Sequence, residues 1–156
     1  MKKMIVIICA SLLLTGCASN SMNESSHEKT GSKFFNVKTS HFDSYTNEQT
    51  DTAYIITGRV TQENDGNAIA VNIHAEESGM VNVRGTLTKI SGNNTELVYV
   101  SEDGEKVKIA DNSSASYDTA ISIPKGEGKI IFMGESAVYD FELELELTEG
   151  VSCCDL

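Results

Sequence analysis

The chain of 156 residues has no tryptophan, one proline and only 12 lysines and arginines against 23 acidic residues. It also lacks Cys-x-x-Cys, His-Glu-x-x-His, Gly-x-Ser-x-Gly and any glycine-rich loop that follows a strand and opens a helix. Each gap closes a class of function. Without cysteine doublets at metal or redox spacing there is no zinc ribbon and no thioredoxin-type centre. His27-Glu28 has no second histidine at helical spacing, and Gly134-Glu135-Ser136-Ala137 fails as a nucleophile elbow at its last position. Glu63-Asn64-Asp65-Gly66-Asn67 lacks the alternating oxygen ligands of a calcium loop and reads as a turn. No cofactor and no metal site are implied. The shortage of cations leaves a formal charge of −11, which repels phosphate backbones and argues against nucleic acid as a partner.

No apolar run is long enough to span a bilayer. Met4 to Leu14 is apolar apart from Cys9 and Ser11. As a helix, such a run rises about 16 Å, roughly half of a ~30 Å hydrocarbon core. Lys2 and Lys3 stand before it and small residues follow it, the layout of a cleavable signal peptide.

Leu14-Thr15-Gly16-Cys17 resembles the lipobox of bacterial lipoprotein precursors. The pattern is a branched apolar residue, a small one, glycine or alanine, and then cysteine. The resemblance covers only the first seventeen residues. It implies a diacylglyceryl thioether on the Cys17 sulfur, cleavage between Gly16 and Cys17, and a palmitate-type acyl chain on the new amine. Two acyl chains, at about 0.8 kcal/mol per buried methylene, make a durable anchor. The protein is then expected on the extracytoplasmic face of the cell membrane. Ala18 in place of aspartate would favour the outer membrane if the bacterium is Gram-negative. Removing Lys2 and Lys3 with the leader takes the formal charge from −11 to about −13. Cys9 leaves with the leader, so Cys153 and Cys154 are expected as the remaining thiols.

Residues 18 to about 33 are rich in serine, asparagine and glutamate and show no apolar periodicity, which predicts a flexible tether. From Phe34 the pattern becomes one of short apolar alternations between turn clusters. Strands are predicted at Phe34–Val37, Tyr54–Thr61, Ala68–Ala75, Met80–Leu87, Leu97–Val100, Lys106–Ala110, Thr119–Ile123 and Lys129–Met133. In Ala68–Ala75, Ile69, Val71, Ile73 and Ala75 should share one face. Asp103-Gly104 and Asp65-Gly66 carry the residue pair that tight hairpins favour. The last strand is the clearest. Tyr139, Phe141, Leu143, Leu145 and Leu147 alternate with Asp140, Glu142, Glu144 and Glu146, a period of two that no helix could place on two clean faces.

About eight strands and no helical pattern predict an all-β domain over residues 34–148, an antiparallel two-sheet sandwich with a tail after it at 149–156. In strand count and spacing alone it is similar to immunoglobulin and fibronectin type III modules. The missing tryptophan and the absence of a bridging cysteine pair exclude a true immunoglobulin domain. A jelly roll fits the same pattern.

Asp140, Glu142, Glu144 and Glu146 are the candidate surface for a cation or a cationic peptide. The competing structural role is pairing with Lys106 and Lys108 on a neighbouring strand, or blunting an edge strand against aggregation. Tyr117 is the candidate exposed aromatic, in the loop after Asp111-Asn112-Ser113-Ser114. His41 and His74 have no neighbours that would orient an imidazole. With no catalytic motif, the expected activity is non-catalytic binding or scaffolding at the cell envelope. The alternatives are an immunity-type lipoprotein that sequesters a cationic antimicrobial peptide, and a carbohydrate-binding or hydrolase accessory domain.

Overall fold

A computed structural model describes residues 40–63, 66–112 and 115–154. The leader, Cys17, the tether and Phe34–Val37 lie outside the described residues. The sandwich belongs to a compact unit of Lys33–Leu156, whose described residues form ten strands. These are β1 (Ser40–Gln49), β2 (Ala53–Gln62), β3 (Asn67–Ala75), β4 (Gly79–Gly92), β5 (Thr95–Ser101), β6 (Lys106–Asp111), β7 (Ser116–Ile123), β8 (Gly126–Gly134), β9 (Ala137–Glu146) and β10 (Val151–Cys154).

All the ladders are antiparallel, in two five-stranded sheets ordered β1-β2-β9-β4-β7 and β10-β3-β8-β5-β6. The pairs β2·β9, β3·β8, β4·β7 and β5·β6 nest inside one another about the β5–β6 turn, and β9·β4 and β8·β5 close the roll. A long hairpin folded over on itself in this way is the jelly roll, one of the two sandwich forms the strand pattern allowed. The two strands beyond the predicted eight, β1 and β10, are edges. β10 takes up the expected tail, pairing Val151–Cys154 with Asn72–Ala75.

Turn chemistry explains one predicted hairpin and corrects another. Gly104 takes a φ of 84° and donates to the Ser101 carbonyl, so β5 turns tightly into β6. No hairpin joins β2 and β3, which lie in different sheets.

Alternation directs the core. On β9, Tyr139, Phe141, Leu143 and Leu145 are 0 to 4% exposed. From the facing sheet, Phe132 meets Tyr139 and Phe141 with ring centroids 5.2 and 4.7 Å apart, tilted by 58°. Such pairs add about 0.5–1.5 kcal/mol each beyond burial. Phe42 extends the aromatic cluster to Tyr45, whose hydroxyl donates across the sandwich to the Ala70 carbonyl at 3.3 Å. A bulge between Ile69 and Val71 resets the phase of β3, so Ala68, Ala70, Val71, Ile73 and Ala75 are buried. Ile69, expected on that inner face, packs in a separate cluster instead.

At one end of the roll the polar Gln62 is 2% exposed and fully bonded. Its amide donates to the carbonyls of Gly66 and Phe132 at 2.9 and 3.0 Å, and its oxygen accepts from the buried Thr95 hydroxyl at 2.9 Å. This one side chain ties β2 to β5 and β8, across the two sheets. Cys153 and Cys154 are not bonded to each other. Cys153 keeps its thiol, packed in the core.

Candidate functional site

The acidic row of β9 lies on the outward face of the first sheet, but it does not sit at an edge and does not meet the predicted lysines. β9 is the central strand, held by β2 on one side and β4 on the other. Lys106 and Lys108 are on β6, at the far edge of the other sheet. There Lys108 pairs with Glu96 and Asp111 at 2.9 and 2.7 Å. The cations that answer the row are arginines placed opposite it by the register: Arg59 on β2 faces Asp140, and Arg84 on β4 faces Glu144.

Both pairs are two-pronged. Arg59 Nε and Nη2 donate to the two Asp140 oxygens at 2.7 and 3.0 Å. Arg84 Nε donates to Glu144 Oε2 at 2.9 Å, and its Nη2 to Oε1. The hydrogen bonds and positive charge of the arginines hold the Asp140 and Glu144 carboxyls below the ordinary carboxylate range. Glu146 accepts from the Asn82 amide at 2.8 Å. Glu142 faces Thr57 and Thr86, and no ion pair to it is found among the described residues. Half of the row is therefore spent on two-pronged ion pairs, and among the described residues Glu142 and Glu146 form none.

Tyr117 corrects a second expectation. It lies in β7, not in a loop, and its half-buried ring packs against the core. In the register Tyr117 faces Gly85, and Gly85 faces Leu143, so β4 lies between tyrosine and β9. The hydroxyl nonetheless reaches the Glu142 carbonyl at 2.9 Å. Gly85 is what lets it pass: a Cβ there would stand 1.9 Å from the Glu142 oxygen and 2.8 Å from the Tyr117 hydroxyl. Burial, with a lesser contribution from the Glu142 charge, pushes the phenol well above its ordinary pKa.

Around this glycine is a shallow notch of about 420 Å³, walled by Arg84, Tyr117, Asp118, Glu142 and Glu144. Three of the candidate residues thus meet at one place. Asp118, Arg84 and Gly85 were not singled out in the sequence, because their roles appear only once β4 lies between β7 and β9. Chemically, the notch offers carboxylates and hydrogen-bond acceptors to a cation. The hydroxyl residues Thr86 and Ser116 also line it. His41 stands 3.1 Å from Asp43 and His74 2.6 Å from Glu127, both exposed and on different sheets. Among the described residues no three His, Cys, Asp or Glu side chains converge as metal ligands would.

No family model matches the chain, and no curated protein matches it. Among solved structures it is similar to Peruvianin-I, a cysteine peptidase from Thevetia peruviana latex, at 12% identity and a TM-score of 0.36, over 81% of this chain and 74% of that one. An oxalate oxidase aligns at 11% identity and a TM-score of 0.37, over 79% of this chain and 61% of the oxidase. A protein from Shewanella oneidensis aligns at 10% and 0.31, over 74% and 73%. Likenesses this distant transfer no activity and no site residue. The fold assignment rests on the strand order.

Proposed function

We propose that this is a lipid-anchored protein of the bacterial cell envelope whose jelly-roll domain is a non-catalytic binding or scaffolding module. The observation that carries the reading is Leu14-Thr15-Gly16-Cys17 behind a short basic and apolar leader and ahead of a polar stretch. Tyr54, Tyr99, Tyr139, Phe132 and Phe141 are all buried, so these rings support the fold and leave binding to polar sheet faces.

The anchor makes a demand on sulfur chemistry. A thioether on Cys17 leaves that atom no valence for a disulfide. Peptide mapping of the membrane fraction by mass spectrometry, without reduction, tests this directly. The expected result is a diacylglyceryl mass on the peptide that begins at Cys17, lost in Cys17→Ser together with membrane partitioning. A peptide pair bridging Cys17 and Cys154, or unchanged partitioning of Cys17→Ser, overturns the anchor.

A second reading, sequestration of a cationic peptide, draws on the outward rows of the first sheet. Glu48, Asp118, Asp140, Glu142, Glu144 and Glu146 share these rows with the cations Arg59 and Arg84, which pair with Asp140 and Glu144. Its test is binding of a polyarginine peptide at two salt concentrations. Exposed charges are screened beyond about 8–10 Å near physiological ionic strength, so affinity should fall steeply with salt and collapse in Glu142→Gln/Glu146→Gln. Salt-independent binding would remove this reading and leave the anchor untouched.

A further inference from the structure

The register lines up one polar side chain from every strand of the first sheet. Thr46 on β1 faces Thr57 on β2, Thr57 faces Glu142 on β9, Glu142 faces Thr86 on β4, and Thr86 faces Ser116 on β7. All of them are exposed. Neighbouring strands stand ~4.8 Å apart, so the row crosses the sheet over about 19 Å. Its outer members are hydroxyls. At its centre is a carboxylate that forms no ion pair among the described residues.

The surroundings of the row repeat on either side of Glu142. β2 carries Thr57-Gly58-Arg59, and β4 carries Arg84-Gly85-Thr86. Each threonine faces Glu142, and each arginine holds the next outward carboxylate of β9, Asp140 on one side and Glu144 on the other. Each glycine faces a tyrosine of an edge strand, Gly58 facing Tyr45 and Gly85 facing Tyr117. The notch at Gly85 has a counterpart at Gly58, a hollow of about 490 Å³ against Thr46, Thr57, Arg59 and Asp140. A half-turn about Glu142 exchanges the two sides.

The donors and acceptors of this face select a kind of ligand. A hydroxyl both donates and accepts, whereas a carboxylate only accepts. A basic peptide would engage the carboxylates and leave the hydroxyls of Thr46, Thr57, Thr86 and Ser116 idle. A neutral glycan would match the hydroxyls but cover the Glu142 charge without answering it, which is costly. An anionic glycan meets repulsion from Glu48, Asp118 and Glu142. A chain of amino sugars brings both features, hydroxyls on every ring and an ammonium group for the carboxylate.

We propose that the outer face of the first sheet binds an aminoglycan, a linear chain of hexosamines with free ammonium groups. The chain lies across the strands along Thr46, Thr57, Glu142, Thr86 and Ser116, with an ammonium group on Glu142. The proposal rests on the domain being a binding module, and it shares with peptide sequestration only the demand for a cation.

The test is calorimetric titration of the full chain with a glucosamine hexasaccharide, its fully N-acetylated form and hexa-arginine. The glucosamine hexasaccharide should bind, and the N-acetylated one should bind at least about tenfold more weakly, since it lacks the charge. Thr57→Val/Thr86→Val keeps the side-chain shape, removes two hydroxyls and should weaken the glucosamine hexasaccharide by about tenfold. Glu142→Gln should weaken it by a similar factor. These positions are exposed, so the urea midpoint of each variant should match that of the parent chain. Equal affinity for the two hexasaccharides, or no loss in Thr57→Val/Thr86→Val, overturns the proposal. Binding of hexa-arginine without the glucosamine hexasaccharide also overturns it, and leaves peptide sequestration standing. None of these outcomes touches the anchor, which is tested on Cys17.

Discussion

The hydroxyl of Tyr117 hydrogen-bonds the backbone carbonyl of Glu142 across an intervening strand, through a gap that exists because residue 85 is glycine. Two substitutions separate the gap from the bond. Gly85→Ala puts a methyl group against a backbone oxygen that cannot yield, and should cost about 3 kcal/mol or more. Tyr117→Phe keeps the ring packing and loses one hydrogen bond, about 1 kcal/mol. Urea denaturation checks both, and equal losses would mean that the glycine matters only through the tyrosine.

Gln62 has every polar atom of its amide satisfied in a dry setting. Replacing it with Met of similar length leaves the Gly66 and Phe132 carbonyls and the Thr95 hydroxyl without that partner. A loss of about 2–4 kcal/mol is expected, measured as a lower denaturation midpoint with an unchanged slope. A loss below about 0.5 kcal/mol would show that water replaces the amide.

Arg84 lowers the pKa of the Glu144 carboxyl. A carboxylate with a depressed folded-state pKa contributes stability that is present above its unfolded pKa. That contribution fades as the pH falls through the lower, folded value. Arg84→Gln should raise the Glu144 midpoint in a carboxyl-detected NMR titration and flatten the acid limb of the stability curve. The effect at neutral pH should be small, because the Arg84 side chain is exposed and Glu144 is only partly buried.

Tyr117 and Tyr139 are both pushed above the ordinary phenol pKa, chiefly by burial, with the Thr95 hydroxyl opposing the shift at Tyr139. Their neutral forms are the folded ones. Stability is therefore full below the ordinary phenol value of about 10 and is lost as the pH rises beyond it. Absorbance near 295 nm should show these two rings ionising only as the domain unfolds at alkaline pH. Smooth titration of all five tyrosines in the folded protein would contradict the burial.

Much of the fold could be read from local pattern, and what could not depends on pairing at long range. β9 announced itself because it is central: one side meets the core and the other meets water, so its alternation is clean. β5, with apolar residues on both faces, shows no such rhythm. The bulge at Ile69 is invisible to a count of two, since one extra residue inverts the side on which every earlier side chain lies. The acidic row was legible as a row, yet its partners were not. Arg59 is 81 residues from Asp140 in the chain, and nothing local distinguishes it from Lys106 or Lys108. Tyr117 looked exposed for lack of neighbours in sequence, and only the apposition of β7, β4 and β9 gives it a place.

The position of β9 also has a consequence for biosynthesis. Among the described strands it is the ninth made, yet it lies between the second and the fourth. Until the ribosome has passed Glu146, β2 and β4 have nothing to join them, and the first sheet exists only as two separate halves. Topology of this kind delays closure, since the pairing that completes the sheet links distant stretches of chain. A sheet held open in this way depends on the arrival of one late strand to fix its shape.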